Sequence, residues 1–163
     1  MADVQAAADK VELVIRKGSD SELSLGGLRF VACRREIDSV DGGIALYVWS
    51  ARASRAVSDP GMELLRFDFF RNRPHYHSPA DNQVETPIRP SEGQDAQAWG
   101  IEQLTQNAAA LVAEAGFDGI SESIDLEALS QAVPQLASLF SNLDEPTKIS
   151  RFEVDAKVFE ALR

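Results

Sequence analysis

The sequence predicts an α+β fold: an antiparallel β-meander of about four strands within residues 11–77, packed against helices in residues 95–163. Three observations lead there. The first half alternates apolar and polar residues with the period of two that a half-buried strand requires. Turn-forming residues recur at short spacing between those stretches, which favours antiparallel neighbours. Beyond residue 94 the apolar period lengthens to three and four, the spacing of a helix face. Strands first and helices afterwards, without βαβ alternation, place the helices on one face of the sheet.

The elements follow in order. "VELVIR" (11–16) sets Val11, Leu13 and Ile15 against Glu12 and Arg16, and "KGSDSE" then reads as a turn. "LRFVACRRE" (28–36) puts Leu28, Phe30 and Ala32 on one side and Arg29 and Arg35 on the other, after a turn at "LGG" (25–27). "DSVDGG" (38–43) ends in Asp-Gly-Gly, a hairpin signal because these residues tolerate positive φ. "IALYVW" (44–49), apolar on both faces, suits a central strand. "SDPG" (58–61) is a further turn and "LLRFDFF" (64–70) a further strand. Residues 78–94 carry three prolines and no sustained period, so they form a connecting loop.

In the second half, Ile101, Leu104, Ala108, Leu111 and Ala115 predict one helix over 95–115, stopped by Gly116. "SIDLEALSQAV" (123–133) predicts a helix with Ser123 as N-cap, and Pro134 suits the first position of the next. "ISRFEV" (149–154) reads as a strand and "DAKVFEALR" (155–163) as a terminal helix.

At 163 residues the chain has the length of one domain, 1–163, and can bury a core without staples. Its single cysteine, Cys33, cannot form an internal disulfide, which points to a reducing compartment and a half-buried strand thiol. The opening "MADVQAAADKVELVIRKG" lacks a secretory pattern, and "IALYVW" is far short of the roughly 20 apolar residues of a membrane span. The expectation is a soluble, cytoplasmic protein of bacterial style, without membrane association.

The net charge of −10 is unevenly placed. Residues 1–78 balance 11 Lys and Arg against 11 Asp and Glu, whereas residues 79–163 set 5 against 15. An acidic helical half disfavours nucleic acid as a partner and serves solubility. Nucleotide loops and nucleophile elbows of familiar type are absent.

The chain's two histidines, His75 and His77, end the stretch "LLRFDFFRNRPHYH". Residues two apart in a strand share a face, so both imidazoles project together. They could ligate a divalent metal, with a carboxylate from Asp81, Glu85 or Asp68 completing the set; Asp81 is the candidate taken with the two histidines. Arg66 and Asp68 share one strand face, so a histidine beside a carboxylate could act as a general base, with Arg71 or Arg73 near a developing anion. The catalytic candidates are therefore His75, His77, Asp68 and Arg66. In the plainer reading Phe67 and Phe69 fill the core, Arg66 and Asp68 are solvated, and the Pro-His-Tyr-His segment packs at the sheet edge.

Arg66-Phe67-Asp68 followed by Pro74-His75-Tyr76-His77 resembles the R-aromatic-D…P-H-x-H strand and turn of small bacterial TumE-type toxin proteins, over about 14 of 163 residues. The resemblance implies a role for Arg66, Asp68, His75 and His77 in a toxin-like or nucleic-acid-directed activity. From the residues as a whole, the favoured function is a non-catalytic binding or regulatory module, its amphipathic helices offering a surface for a protein partner. The alternative is a hydrolase or nuclease using the His75/His77 dyad, with or without a divalent metal. Self-association through a sheet edge or a helix face is a further expectation.

Overall fold

The computed structural model describes residues 9–51 and 61–163. Its strands are β1 (Lys10–Lys17), β2 (Ser21–Leu25), β3 (Leu28–Ile37), β4 (Asp41–Ser50), β5 (Glu63–Phe70), β6 (His75–His77), β7 (Thr86–Pro87) and β8 (Lys148–Asp155). Its helices are α1 (Ala96–Gln106), α2 (Ala108–Glu114), α3 (Asp118–Ser121), α4 (Leu126–Ser130), α5 (Val133–Ser141) and α6 (Ala156–Leu162). The eight strands form one sheet in the order β7-β6-β5-β4-β3-β1-β8, with β2 also on β3. Every pairing is antiparallel, and with the helices mostly C-terminal the fold is α+β, as the alternating first half requires.

Several element boundaries differ from the sequence reading, each for a local reason. Ser21–Leu25, which begins within the expected turn and runs on past it, is a strand: Leu23 packs on the core while Glu22 and Ser24 face outward. Gly26 and Gly27, at φ 63° and 83°, make the two-residue turn that returns β2 to β3. The turn after β3 uses Asp38, Ser39 and Val40, with Ser39 at φ 63°, so Gly42 and Gly43 belong to β4. Gly42 lies opposite Glu36, and its missing side chain leaves room for the carboxylate with which Glu36 binds Arg71 at 2.6 and 2.8 Å. Of the turn expected at 58–61, residues 58–60 lie outside the described residues, and Gly61 has φ 77°.

The helix expected over 95–115 is two helices. Asp95 caps the first by accepting from the Ala98 amide at 2.7 Å, and Asn107 (φ −130°, ψ 17°) breaks the run. Gly116 ends the second at φ 102°. The helix expected from Ser123 starts later: the Ser123 hydroxyl donates to the Ile120 carbonyl at 2.7 Å, and Asp125 is the cap, accepting from the Ala128 amide at 3.0 Å. Pro134 stands in the first turn of α5, where its missing N–H loses nothing.

The cross-strand row Ala32–Leu46–Phe67–Tyr76 runs along the face that α1–α5 cover. There Phe67 and Phe69 join Leu104, Val112, Leu136 and Phe140 in one apolar core, and Phe69 meets Phe140 edge-on at 5.6 Å. The rows Cys33–Ala45–Asp68–His75 and Val31–Tyr47–Arg66–His77 face the opposite side. Helices do not keep to one face, however. The terminal helix α6 packs by β1 and β8, and its Leu162 borders a cleft on this second face. Among the described residues no helix is long and apolar enough to cross a membrane.

Gly26→Ala forces a Cβ into positive φ and to 2.7 Å from the Leu129 side chain, so it is expected to lose more than about 1 kcal/mol in urea unfolding. Gly119→Ala, in helical backbone with no atom within 4 Å of the added carbon, is expected to hold or gain stability in the same measurement.

Candidate metal centre

The site begins with the β5–β6 hairpin. Its register sets Asp68 directly opposite His75 and Arg66 opposite His77, with Phe67 and Tyr76 turned to the core between them. Phe67 stacks on Tyr76 at 5.6 Å, which fixes the two polar rows on the other face. Asp41 holds the connecting turn: its carboxylate accepts from the backbone amides of Gly42 (2.9 Å), Asn72 (3.1 Å) and Arg73 (2.8 Å).

Asp68, His75 and His77 are all buried, with 2%, 9% and 5% of their surface exposed, so Asp68 is not a solvated strand residue. One ligand atom from each of the three lies within 4.8 Å of the others. His75 Nε2 is 3.0 Å and His77 Nε2 3.7 Å from Asp68 Oδ2. The two rings meet edge-on at 5.2 Å, and Phe70 lies edge-on to His75 at 5.8 Å.

The remaining ring nitrogens decide the chemistry. His75 Nδ1 is 2.7 Å from the Arg73 carbonyl, and His77 Nδ1 is 2.6 Å from the Asn82 carbonyl. A carbonyl oxygen can only accept, so both Nδ1 atoms carry the proton and both neutral rings present an Nε2 lone pair. These lone pairs converge on a carboxylate oxygen, which is also an acceptor. Three electron-rich atoms in one buried place require a positive charge between them, either a proton on a ring or a metal ion. Backbone carbonyls on the far nitrogens are what orient histidine ligands in metal sites. Asp68 also keeps a second oxygen, Oδ1, that is buried and without a hydrogen-bond partner.

Asp81 does not join this group. The Ala80 amide bonds to the Leu64 carbonyl and Ala80 is buried, which leaves Asp81 exposed at the turn. Asp68, the carboxylate that hairpin register places opposite His75, takes that place. Arg66 lies 3.7 Å from Asp68 Oδ2 through its Nε, a buried atom with no hydrogen-bond partner. Glu85 reaches the rim, its Oε1 3.6 Å from His75 Nε2 and its Oε2 2.9 Å from Arg73 Nη2. Arg73 also reaches the last carbonyls of α6, at Ala161 and Leu162, both at 3.4 Å. Arg71, instead, is spent on Glu36. The cleft these groups enclose has a volume of about 180 Å³, with Arg35 and Phe70 also in its wall. Sequence reasoning did not single out Arg35 or Asp41 as site residues. The alternation in "VACRRE" was the available signal for Arg35, whereas Asp41 reads as an ordinary turn residue.

Burial depresses the His75 pKa, but the contact with Asp68, the Arg73 carbonyl and the charges of Asp68 and Glu85 outweigh it and leave it raised above the ordinary 6.5. Cys33, fully buried beneath the cleft face, is a free thiol whose pKa burial pushes up, and thus an inert one.

Fold and site together define an α+β protein with a two-histidine, one-carboxylate centre on the sheet face opposite its main helical layer. A family model described as a domain of unknown function, DUF7700, matches residues 4–140, and the chain belongs to that family. The matched stretch holds Asp68, His75, His77, Arg66 and Glu85, while β8 and α6 lie beyond it. No curated protein and no solved structure matches the chain significantly.

A raised folded-state pKa means that the protonated His75–Asp68 pair stabilises the fold fully below the unfolded value and loses that contribution as pH rises through the folded one. With chelator present, the stability advantage of the natural protein over His75→Gln is therefore expected to be largest below about pH 6.5 and to shrink toward pH 9, as measured by thermal unfolding.

Proposed function

We propose that this protein is a metal-dependent enzyme of hydrolase type, with a divalent cation held by Asp68 Oδ2, His75 Nε2 and His77 Nε2. The single observation that carries the reading is the convergence of two Nε2 lone pairs, each fixed by a backbone carbonyl on Nδ1, upon one buried carboxylate. Two imidazoles and one carboxylate suit zinc or a first-row transition metal, and three protein ligands leave coordination positions open, the mark of a catalytic rather than a structural site. Such an ion, held by Asp68, His75 and His77, would supply a water that ionises near neutral pH. The chain's own residues do the rest. Glu85, exposed at the rim and 3.6 Å from His75 Nε2, is placed to accept a proton from a molecule in the cleft. Phe70 and Leu162 shield the centre from bulk water, and Arg66 balances negative charge beside Asp68. The short resemblance to TumE-type toxins rests on these same residues and supports a hydrolytic or nucleolytic direction. The buried, unpaired Cys33 supports a reducing, cytoplasmic setting.

A second reading has its own observation. The 3.0 Å contact between His75 Nε2 and Asp68 is already the length of a charged pair, so a proton alone could satisfy the cluster. The protein would then be a non-catalytic binding module with a buried ion pair.

Metal analysis decides between them. The full chain, stripped and reloaded with zinc, cobalt or manganese, is expected to retain about one ion per chain after gel filtration, with a cobalt spectrum of low-coordinate nitrogen and oxygen ligation. His77→Ala and Asp68→Asn should each weaken retention at least about tenfold, whereas Asp81→Ala leaves it unchanged. Retention by none of the metals, in protein shown folded by circular dichroism, would refute the metal reading.

A further inference from the structure

We infer that the cleft beside the Asp68/His75/His77 centre binds a small phosphate-type oxyanion, gripped by Arg35 and Arg66. This inference deepens the proposed metal-dependent activity by naming its substrate class, and it rests on that reading for part of the positive charge.

The argument is one of unmatched charge. Asp41 borders the cleft, yet three backbone amides occupy its carboxylate, so it faces the protein rather than a ligand. Glu85 and Arg73 cancel each other at 2.9 Å. Among the groups lining the cleft, two guanidinium groups then remain, those of Arg35 and Arg66, against the carboxylate of Asp68, with Glu63 acting on Arg66 from outside the cleft. Arg66 is only loosely engaged: its Nε is 3.7 Å from Asp68 Oδ2, beyond hydrogen-bond length, and has no other partner. The Arg35 side chain has no ion pair among the described residues; its cross-strand neighbour Lys17 is occupied by Asp20 at 3.0 Å. The Arg66 Nε, buried in the cleft wall, has given up water with no hydrogen bond in return, and an anion supplies what is missing.

The chemistry of the two cations selects the anion. A guanidinium fork matches two oxygens of a phosphate, and two such forks match the three free oxygens and the double charge of a phosphate monoester. A metal on the three ligand atoms adds charge of the same sign at the cleft floor. A carboxylate, with one charge and two oxygens, would leave one arginine unused. Size and field restrict the source. A cleft of about 180 Å³ admits a phosphate and a short attached group. The chain's net charge of −10, carried by residues 79–163, repels a long polyanion. The class is therefore a small phosphorylated molecule rather than a nucleic acid strand.

The test uses full-length protein in zinc-loaded and chelated forms, with metal content measured on the same samples and inorganic phosphate as the probe in titration calorimetry at low salt. The zinc-loaded natural protein should bind phosphate, and acetate at least about tenfold more weakly. Arg66→Gln and Arg35→Gln should each weaken phosphate binding by about ten- to a hundredfold while retaining zinc, and Arg71→Gln, which removes only the surface pair with Glu36, should change nothing. Arg66→Lys, which keeps the charge and loses the fork, should fall between and guards against a folding defect in the glutamine variant. Zinc bound without phosphate binding, or phosphate bound equally by both glutamine variants, overturns the inference and leaves the metal reading intact. Arginine-dependent phosphate binding by protein that retains no zinc after loading overturns the metal reading and leaves the oxyanion site. A single-stranded oligonucleotide that displaces phosphate at far lower concentration overturns the assignment to small molecules.

Discussion

Two hydrogen bonds to backbone carbonyls govern the second face of this protein. By holding the Nδ1 protons of His75 and His77, the carbonyls of Arg73 and Asn82 turn both Nε2 lone pairs onto Asp68. A buried carboxylate facing two acceptors is unfavourable by several kcal/mol unless a positive charge stands between them. The sheet positions the three groups, but only a positive charge, whether a ring proton or a metal ion, makes the arrangement stable. Each acceptor carbonyl is itself held in place. Arg73 lies in the turn that Asp41 organises through backbone amides, and Asn82 lies in a turn where its own amide bonds to the Pro79 carbonyl.

The apolar core makes such a cluster tolerable. Strand residues alternate strictly across β5 and β6, so each polar residue on the site face is backed by an aromatic on the other: Phe67 beside Asp68, Tyr76 between the histidines. Phe67 is fully buried and stacks on both Phe69 and Tyr76, and burying an aromatic of this size contributes on the order of 2–3 kcal/mol. The rigidity that fixes the site is therefore drawn from the helical side of the sheet. The cleft's rim differs in character: Glu85 comes from the loop, and Leu162 from a terminal helix outside the family match.

Much of this was legible in the sequence because periodicity and register are local. His75 and His77 two apart, and Arg66 and Asp68 two apart, each fix a shared face from the pleat alone. Their meeting follows once Phe70 and His75 are joined by a tight turn. Asp81 was the nearer carboxylate by count along the chain, but hairpin pairing brings Asp68 opposite His75, and proximity across strands outranks proximity along the chain. The misread boundaries have similar causes. Ser21–Leu25 hides its alternation in polar residues, the Gly42 side of Asp-Gly-Gly serves Glu36 instead of a turn, and Asn107 divides a run whose apolar spacing continues through it. The placement of α6 over the second face depends on β8 pairing with β1 across the whole chain, which no local pattern encodes.

The central claim concerns where two protons sit, and nitrogen NMR of the imidazole rings reads this directly. In chelated protein held at a pH above the titration of His75, both rings should appear as Nδ1–H tautomers with an unprotonated Nε2, and zinc should shift both Nε2 resonances while leaving the Nδ1 protons in place. Finding either ring protonated at Nε2 with a bare Nδ1 under those conditions would contradict the account.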